Sequence, residues 1–145
     1  MDATGHDDLT TREAGAWTTF ESAVNAVPRD RRSEPLLADG WSVKDTLWHV
    51  AYWWRIGAET FEQMATGAGQ VDEPGDTDEI NAGALAESRA MSLEDVEAGV
   101  AQIRGRLLQA WASVSSDPAA AETFAGETIE HYEDHLPALE ALGTP

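Results

Sequence analysis

Residues 40–54, GWSVKDTLWHVAYWW, decide how this chain folds. Ser42 followed three residues later by Asp45 has the spacing of a capping box, with Asp in place of the usual Glu. A helix is therefore expected to start here. Apolar residues recur at Val43, Leu47, Val50 and Trp54, and continue to Phe61 and Met64, so the helix should run from Ser42 to about Thr66. Trp48, Tyr52, Trp53 and Ile56 widen the apolar stripe beyond an ordinary amphipathic face. Such a helix is packed on more than one side, by its own chain or by a second subunit, so a homodimer is one expectation. Within this apolar setting stands one histidine, His49.

Outward from this helix the pattern repeats. Residues 8 to 27 carry Leu9, Trp17, Phe20, Val24 and Val27 with polar residues between, and Pro28 closes the segment. A loop containing Arg29, Arg31, Arg32 and Pro35 leads to Asp39-Gly40. After the second helix, residues 67–78 read as a loop. A third helical region is expected from Asp78 to about Val114, with a break near Met91 where Ser92, Glu94 and Asp95 resemble a new helix start. Pro118 ends that region, and a last helix is expected from about Ala121 to Leu142. No run alternates with period two long enough to argue a strand. The expected architecture is all-α: a four-helix bundle with long loops, forming a single domain over 1–145 with 1–7 as a flexible tail. His6 lies in that tail and is given no role.

Composition narrows the function classes. The chain has 145 residues, 42% of them hydrophobic, which is ample for one buried core. It carries 27 acidic residues against 9 Lys and Arg, a formal charge of −18. That field repels phosphate backbones and anionic lipid surfaces, so neither nucleic acid nor membrane is an expected partner. There is no cysteine, hence no disulfide and no thiolate from the protein itself. The N-terminus lacks the apolar run of a secretory signal, and a cytoplasmic protein is expected. Arg29, Arg31 and Arg32 form the only basic cluster, read as a solvated loop or as an attractor for a carboxylate-bearing cofactor.

The stretch 126–140, GETIEHYEDHLPALE, holds two of the four histidines. On a helix, Phe124, Thr128, His131, His135, Ala138 and Leu142 share one uncharged side, while Glu127, Glu130, Glu133 and Asp134 lie off it. Two imidazoles at i and i+4 on one face can converge on a metal ion. The spacing is not that of the metalloprotease helix, because Tyr132 stands where the catalytic Glu would be. His49, on the inward side of the second helix, is a third candidate ligand. Three histidines with open positions are the arrangement of a catalytic rather than a structural zinc. Three imidazoles suit zinc, nickel, copper or iron. The alternative for each is a hydrogen-bonded core histidine.

Four further residues are candidates around this cluster. Asp45, one turn before His49, is placed to accept its second N–H, or else caps its helix with Ser42. Tyr52 and Trp53 either wall a substrate pocket or belong to the core. Thr128, one turn before His131, either reaches a bound ligand or bonds back to its own helix. Pro137 removes a backbone bond just after the histidine pair.

The two histidine-bearing stretches, GWSVKDTLWHVAYWW and ETIEHYEDHLPALEAL, resemble the DinB-like superfamily. That superfamily includes the N-terminal domain of mycothiol-dependent maleylpyruvate isomerase and bacterial low-molecular-weight-thiol transferases. DEINAGALAESRAMSLEDV resembles the third-helix segment less specifically. The resemblance implies a four-helix bundle holding a divalent metal, zinc or nickel, on three histidines: one from the second helix and two from the last. By position these are His49, His131 and His135. It further implies a metal-dependent enzyme that uses a small thiol such as mycothiol on an electrophilic small molecule. A metal-dependent hydrolase of the resistance type, or a non-catalytic bundle that binds metal or small ligand, is the alternative. The chain has no counterpart of the isomerase's additional C-terminal domain, so maleylpyruvate isomerisation itself is not the expected activity.

Overall fold

A computed structural model describes residues 3–67, 75–114 and 117–143. The four expected helical regions are present as six α-helices: α1 (Ala3–Asn25), α2 (Val43–Ala65), α3 (Thr77–Arg89), α4 (Leu93–Ala112), α5 (Pro118–Glu127) and α6 (Ile129–Gly143). A single 3-10 turn covers Arg29–Arg31. No strand occurs among the described residues. Helix α1 begins at Ala3, within the stretch 1–7 expected as a flexible tail; residues 1–2 lie outside the described residues, as does 68–74 of the expected 67–78 loop.

Local chemistry sets these boundaries. Ser42 and Asp45 form the capping box that starts α2: the Ser42 hydroxyl accepts from the Asp45 N–H, and the Asp45 carboxylate accepts from the Ser42 N–H. Ser92 caps α4 with its hydroxyl, which accepts from the Asp95 N–H, and this divides the third region near Met91 as expected. Two boundaries differ from the sequence reading. Pro118 opens α5 at its first turn, capped by Asp117, because proline has no N–H to lose there. The last helix is not continuous from Ala121 to Leu142 but breaks at Thr128, whose φ and ψ are −117° and −90°. The Thr128 hydroxyl donates to the Phe124 carbonyl at 2.6 Å, beside the Thr128 N–H at 3.1 Å, and α6 restarts one residue later.

Helix α2 is central and packs on α3, α4, α5 and α6, which bury Trp48 and leave Tyr52, Trp53 and Ile56 half-buried. Its closest neighbour is α4. At Gly99 a Cβ would lie 2.7 Å from the Trp48 ring, so glycine lets the two helices approach there. Helix α1 covers α6 and α5. The core is aromatic: Trp54, Trp111, Phe20, Phe61, Phe124 and Tyr132 are fully buried. Trp111 stacks on Phe124 at 4.4 Å, and the Trp17 edge meets Trp54 at 5.0 Å. Rings so placed add directional preference to the area they bury.

Polar side chains connect the helices at a few points. Glu13 of α1 is fully buried; it accepts from the Tyr132 hydroxyl of α6 at 2.8 Å and pairs with Arg104 of α4. Arg29 binds Glu94 and Glu97, Arg31 binds Glu34, and the largely buried Arg32 donates to the Val27 carbonyl. The basic cluster is thus spent on fixing the α1–α2 connection against α4.

Candidate metal centre

His49 sits two turns into α2, 6% exposed, because the apolar face of that helix is turned inward there. His131 and His135 occupy successive turns of α6, after the break at Thr128 has reset the helix. The three rings meet. Their centroids are 4.9 Å apart in all three pairs, each pair edge-on. The Nε2 atoms of His49 and His131 are 3.0 Å apart, and one nitrogen from each of the three rings lies within 4.8 Å of the others.

The environment keeps these rings neutral. Burial pushes His49 down to about 3, helped by the neighbouring His131 and His135 and opposed by Asp39. Burial pushes His131 down to about 4, with His135 adding to the shift. The Glu127 carbonyl, one turn back, favours protonated His131 without meeting full hydrogen-bond geometry at Nδ1. Burial also lowers His135, against the charges of Asp134 and Asp39. A neutral imidazole is the form that binds a metal.

Can the protein alone satisfy this cluster? A hydrogen bond between His49 and His131 engages only two rings and leaves both buried Nδ1 atoms without a partner. His135 has no hydrogen-bond partner among the described residues. Two nitrogens each about 2.0–2.1 Å from one zinc ion at a tetrahedral angle would stand roughly 3.3 Å apart. The observed 3.0 Å is close to that. The donor set, its convergence and its neutrality therefore fit one divalent cation.

The other candidates lie elsewhere. Asp45 has both oxygens engaged, one by the Ser42 N–H and one by the Ser88 hydroxyl at 2.6 Å, so it caps α2 and ties it to α3. Trp53 donates to Asn81 at 2.9 Å, and Tyr52 packs beside Gly83 under the Arg55 guanidinium; both face α3. Thr128 bonds back to Phe124, the alternative weighed for it.

Three residues to which the sequence assigned no role at the site lie near the cluster. The Trp41 ring meets His49 edge-on at 5.1 Å and covers it. Asp39 acts electrostatically on His49 and His135, and with Leu37, Thr46, His135, Ala138 and Leu139 it borders a cavity of about 180 Å³. Burial raises Glu127, one turn before His131, to about 7. The Asp39-Gly40 turn, leading directly into the capping box of α2, was the available signal for the first two.

In a comparison with protein families, the family described as the mycothiol maleylpyruvate isomerase N-terminal domain matches residues 13–131. That span contains His49 and His131 and stops before His135. Comparisons with curated proteins and with solved structures yield no match. No helix among the described residues is long and apolar enough to cross a membrane. A match over most of the chain, on an all-α bundle with its histidines brought together, places the protein: it belongs to the mycothiol maleylpyruvate isomerase N-terminal domain family, within the DinB-like superfamily.

Proposed function

We propose that His49, His131 and His135 together bind one divalent metal, zinc or nickel, and that the protein is a cytoplasmic metal-dependent enzyme. Its reaction is the transfer of a low-molecular-weight thiol, such as mycothiol, to an electrophilic small molecule. The single observation that carries this reading is the convergence of three neutral, mostly buried imidazoles on one point, with only one hydrogen bond between them. A bound divalent ion supplies Lewis acidity, favouring the deprotonated form of a thiol or water and polarising a carbonyl.

The chain's own groups do the rest. Histidines 131 and 135 are held at fixed spacing by α6, and His49 is held opposite them by α2. Trp41 shields His49 from water. The cavity beside His135 gives room for a small reactant. The protein has no cysteine, so the thiol comes from a cofactor or co-substrate. All three histidines come from one chain, so the centre does not require a second subunit.

Metal analysis of protein purified without a histidine tag tests the first half. Near-stoichiometric zinc or nickel is expected, lost in His49→Ala and in His135→Ala. Incubation of the metal-loaded protein with a small thiol and a model electrophile tests the second. Conjugation above the uncatalysed rate supports the transferase, and its absence with every thiol tried leaves hydrolysis or ligand sequestration.

A further inference from the structure

We propose that the cavity beside His135 is the entrance through which a small molecule reaches the three histidines, and that Asp39 makes this entrance select neutral or cationic molecules over anionic ones. The inference rests on the metal-centre reading above and adds to it the charge class of the substrate.

The cavity, about 180 Å³, is smaller than the pockets that hold drug-sized ligands, so its occupant is a fragment of a few heavy atoms or one end of a longer molecule. Leu37, Ala138 and Leu139 make its walls apolar. Thr46 and His135 are uncharged at neutral pH, which leaves Asp39 as the charged group at the opening.

The Asp39 carboxylate is held by a built turn. Its Oδ1 accepts from the Trp41 N–H at 3.0 Å. The Gly40 N–H donates to the Leu37 carbonyl at 2.9 Å, and the Leu37 N–H donates to the Trp41 carbonyl at 3.0 Å. Gly40 closes the turn at φ 85°, a conformation that other residues adopt only with strain. One short turn therefore fixes Trp41 over His49 and Asp39 beside the opening. The carboxylate's charge is felt at both His49 and His135, so it also acts on any charge arriving there.

No cation is among the residues that line this cavity. Arg29, Arg31, Arg32, Arg55, Arg104 and Arg106 are paired with carboxylates elsewhere. Lys44 and Arg89 line a different cavity, with Ser33, Ser42 and Asp45. An overall charge of −18 adds to the repulsion of an incoming anion. A bound divalent ion attracts anions, but it does so equally with and without the Asp39 charge, so a substitution isolates the effect.

The test uses the metal-loaded, full-length protein and three thiols of similar size: cysteamine, mercaptoethanol and mercaptoacetate, which are cationic, neutral and anionic. Titration calorimetry gives a Kd for each on wild type and on Asp39→Asn, a variant that keeps an acceptor for the Trp41 N–H. Cysteamine and mercaptoethanol are expected to bind more tightly than mercaptoacetate. Asp39→Asn should shrink the cysteamine-to-mercaptoacetate preference by roughly three- to tenfold, the size of one partly screened charge at short range. Metal content and thermal unfolding are measured on the same samples. Tightest binding of mercaptoacetate by wild type, or an unchanged preference in a folded, metal-loaded Asp39→Asn, overturns this inference alone. Loss of metal in Asp39→Asn also overturns it, since Asp39 would then be a ligand. A wild-type protein that takes up no metal overturns the metal-centre reading and this inference with it.

Discussion

His131 and Tyr132 are neighbours on α6 yet belong to two buried polar clusters of opposite character. Tyr132 faces α1 and α4, where its hydroxyl and both Glu13 oxygens are engaged and Arg104 supplies the countercharge. Arg104 Nε and, beside the Tyr132 ring, Trp54 Nε1 lack a partner there. Burial, together with the charge of Glu13, holds Tyr132 far above its ordinary range, so it serves as a neutral donor. His131 faces α2, where three rings share one hydrogen bond and two buried nitrogens have no partner. Structural polar groups in a protein interior are normally satisfied from within. In the first cluster the Glu13 carboxylate and the Tyr132 hydroxyl follow that rule and join helices. The second breaks it at a point where three ligand atoms meet, as expected of groups whose partner arrives from outside.

Substitutions should separate the two. Glu13→Ala leaves Arg104 and Tyr132 without their acceptor and is expected to destabilise the fold by about 3–5 kcal/mol in denaturant titrations. Tyr132→Phe leaves one Glu13 oxygen unpaired and should cost about 1–3 kcal/mol. His49→Phe in metal-free protein removes a poorly satisfied polar group while keeping its bulk, and should change stability by less than about 1.5 kcal/mol. If His49→Phe costs as much as Glu13→Ala, the histidines form a second structural cluster and the contrast disappears.

The pH dependence sharpens the comparison further. An unfolded histidine takes up its proton near 6.5, whereas His131 does so near 4 and His49 near 3 in the fold. Between those values the unfolded chain binds more protons, so the metal-free protein loses stability as the pH falls from 6.5 toward 3. Glu127 works in the opposite direction. Its folded value is raised from 4.5 to about 7, so the native state binds more protons in that window and stability declines as the pH rises through it. His49→Phe should flatten the acid slope, and Glu127→Gln the slope between 4.5 and 7. Chemical denaturation at a series of pH values reads both. An acid slope unaltered by His49→Phe would mean that the ring is not kept neutral by burial.

These clusters were unequally legible in the sequence. The histidines stood out because helical spacing alone puts His131 and His135 on one face, and the apolar run around His49 turns that residue inward. The capping box of Ser42 and Asp45 was equally plain, since both partners lie within one turn. Glu13 was not. It shares a face with Leu9 and Trp17, but its partners Arg104 and Tyr132 are 91 and 119 residues away, and no local pattern links them. The break at Thr128 escaped for another reason: a threonine bonding back to Phe124 is compatible with a continuous helix, and only the backbone angles reveal that it ends one. Asp39 and Trp41 lie in a loop, where no periodicity assigns a face.

The central claim is that three imidazoles share one ion, and an anomalous-scattering crystal structure of the untagged protein tests it most directly. The account predicts a single peak at full occupancy, about 2.0–2.1 Å from one ring nitrogen each of His49, His131 and His135 if the metal is zinc. No peak in protein grown with zinc and nickel available, or a peak bound away from these rings, would contradict it.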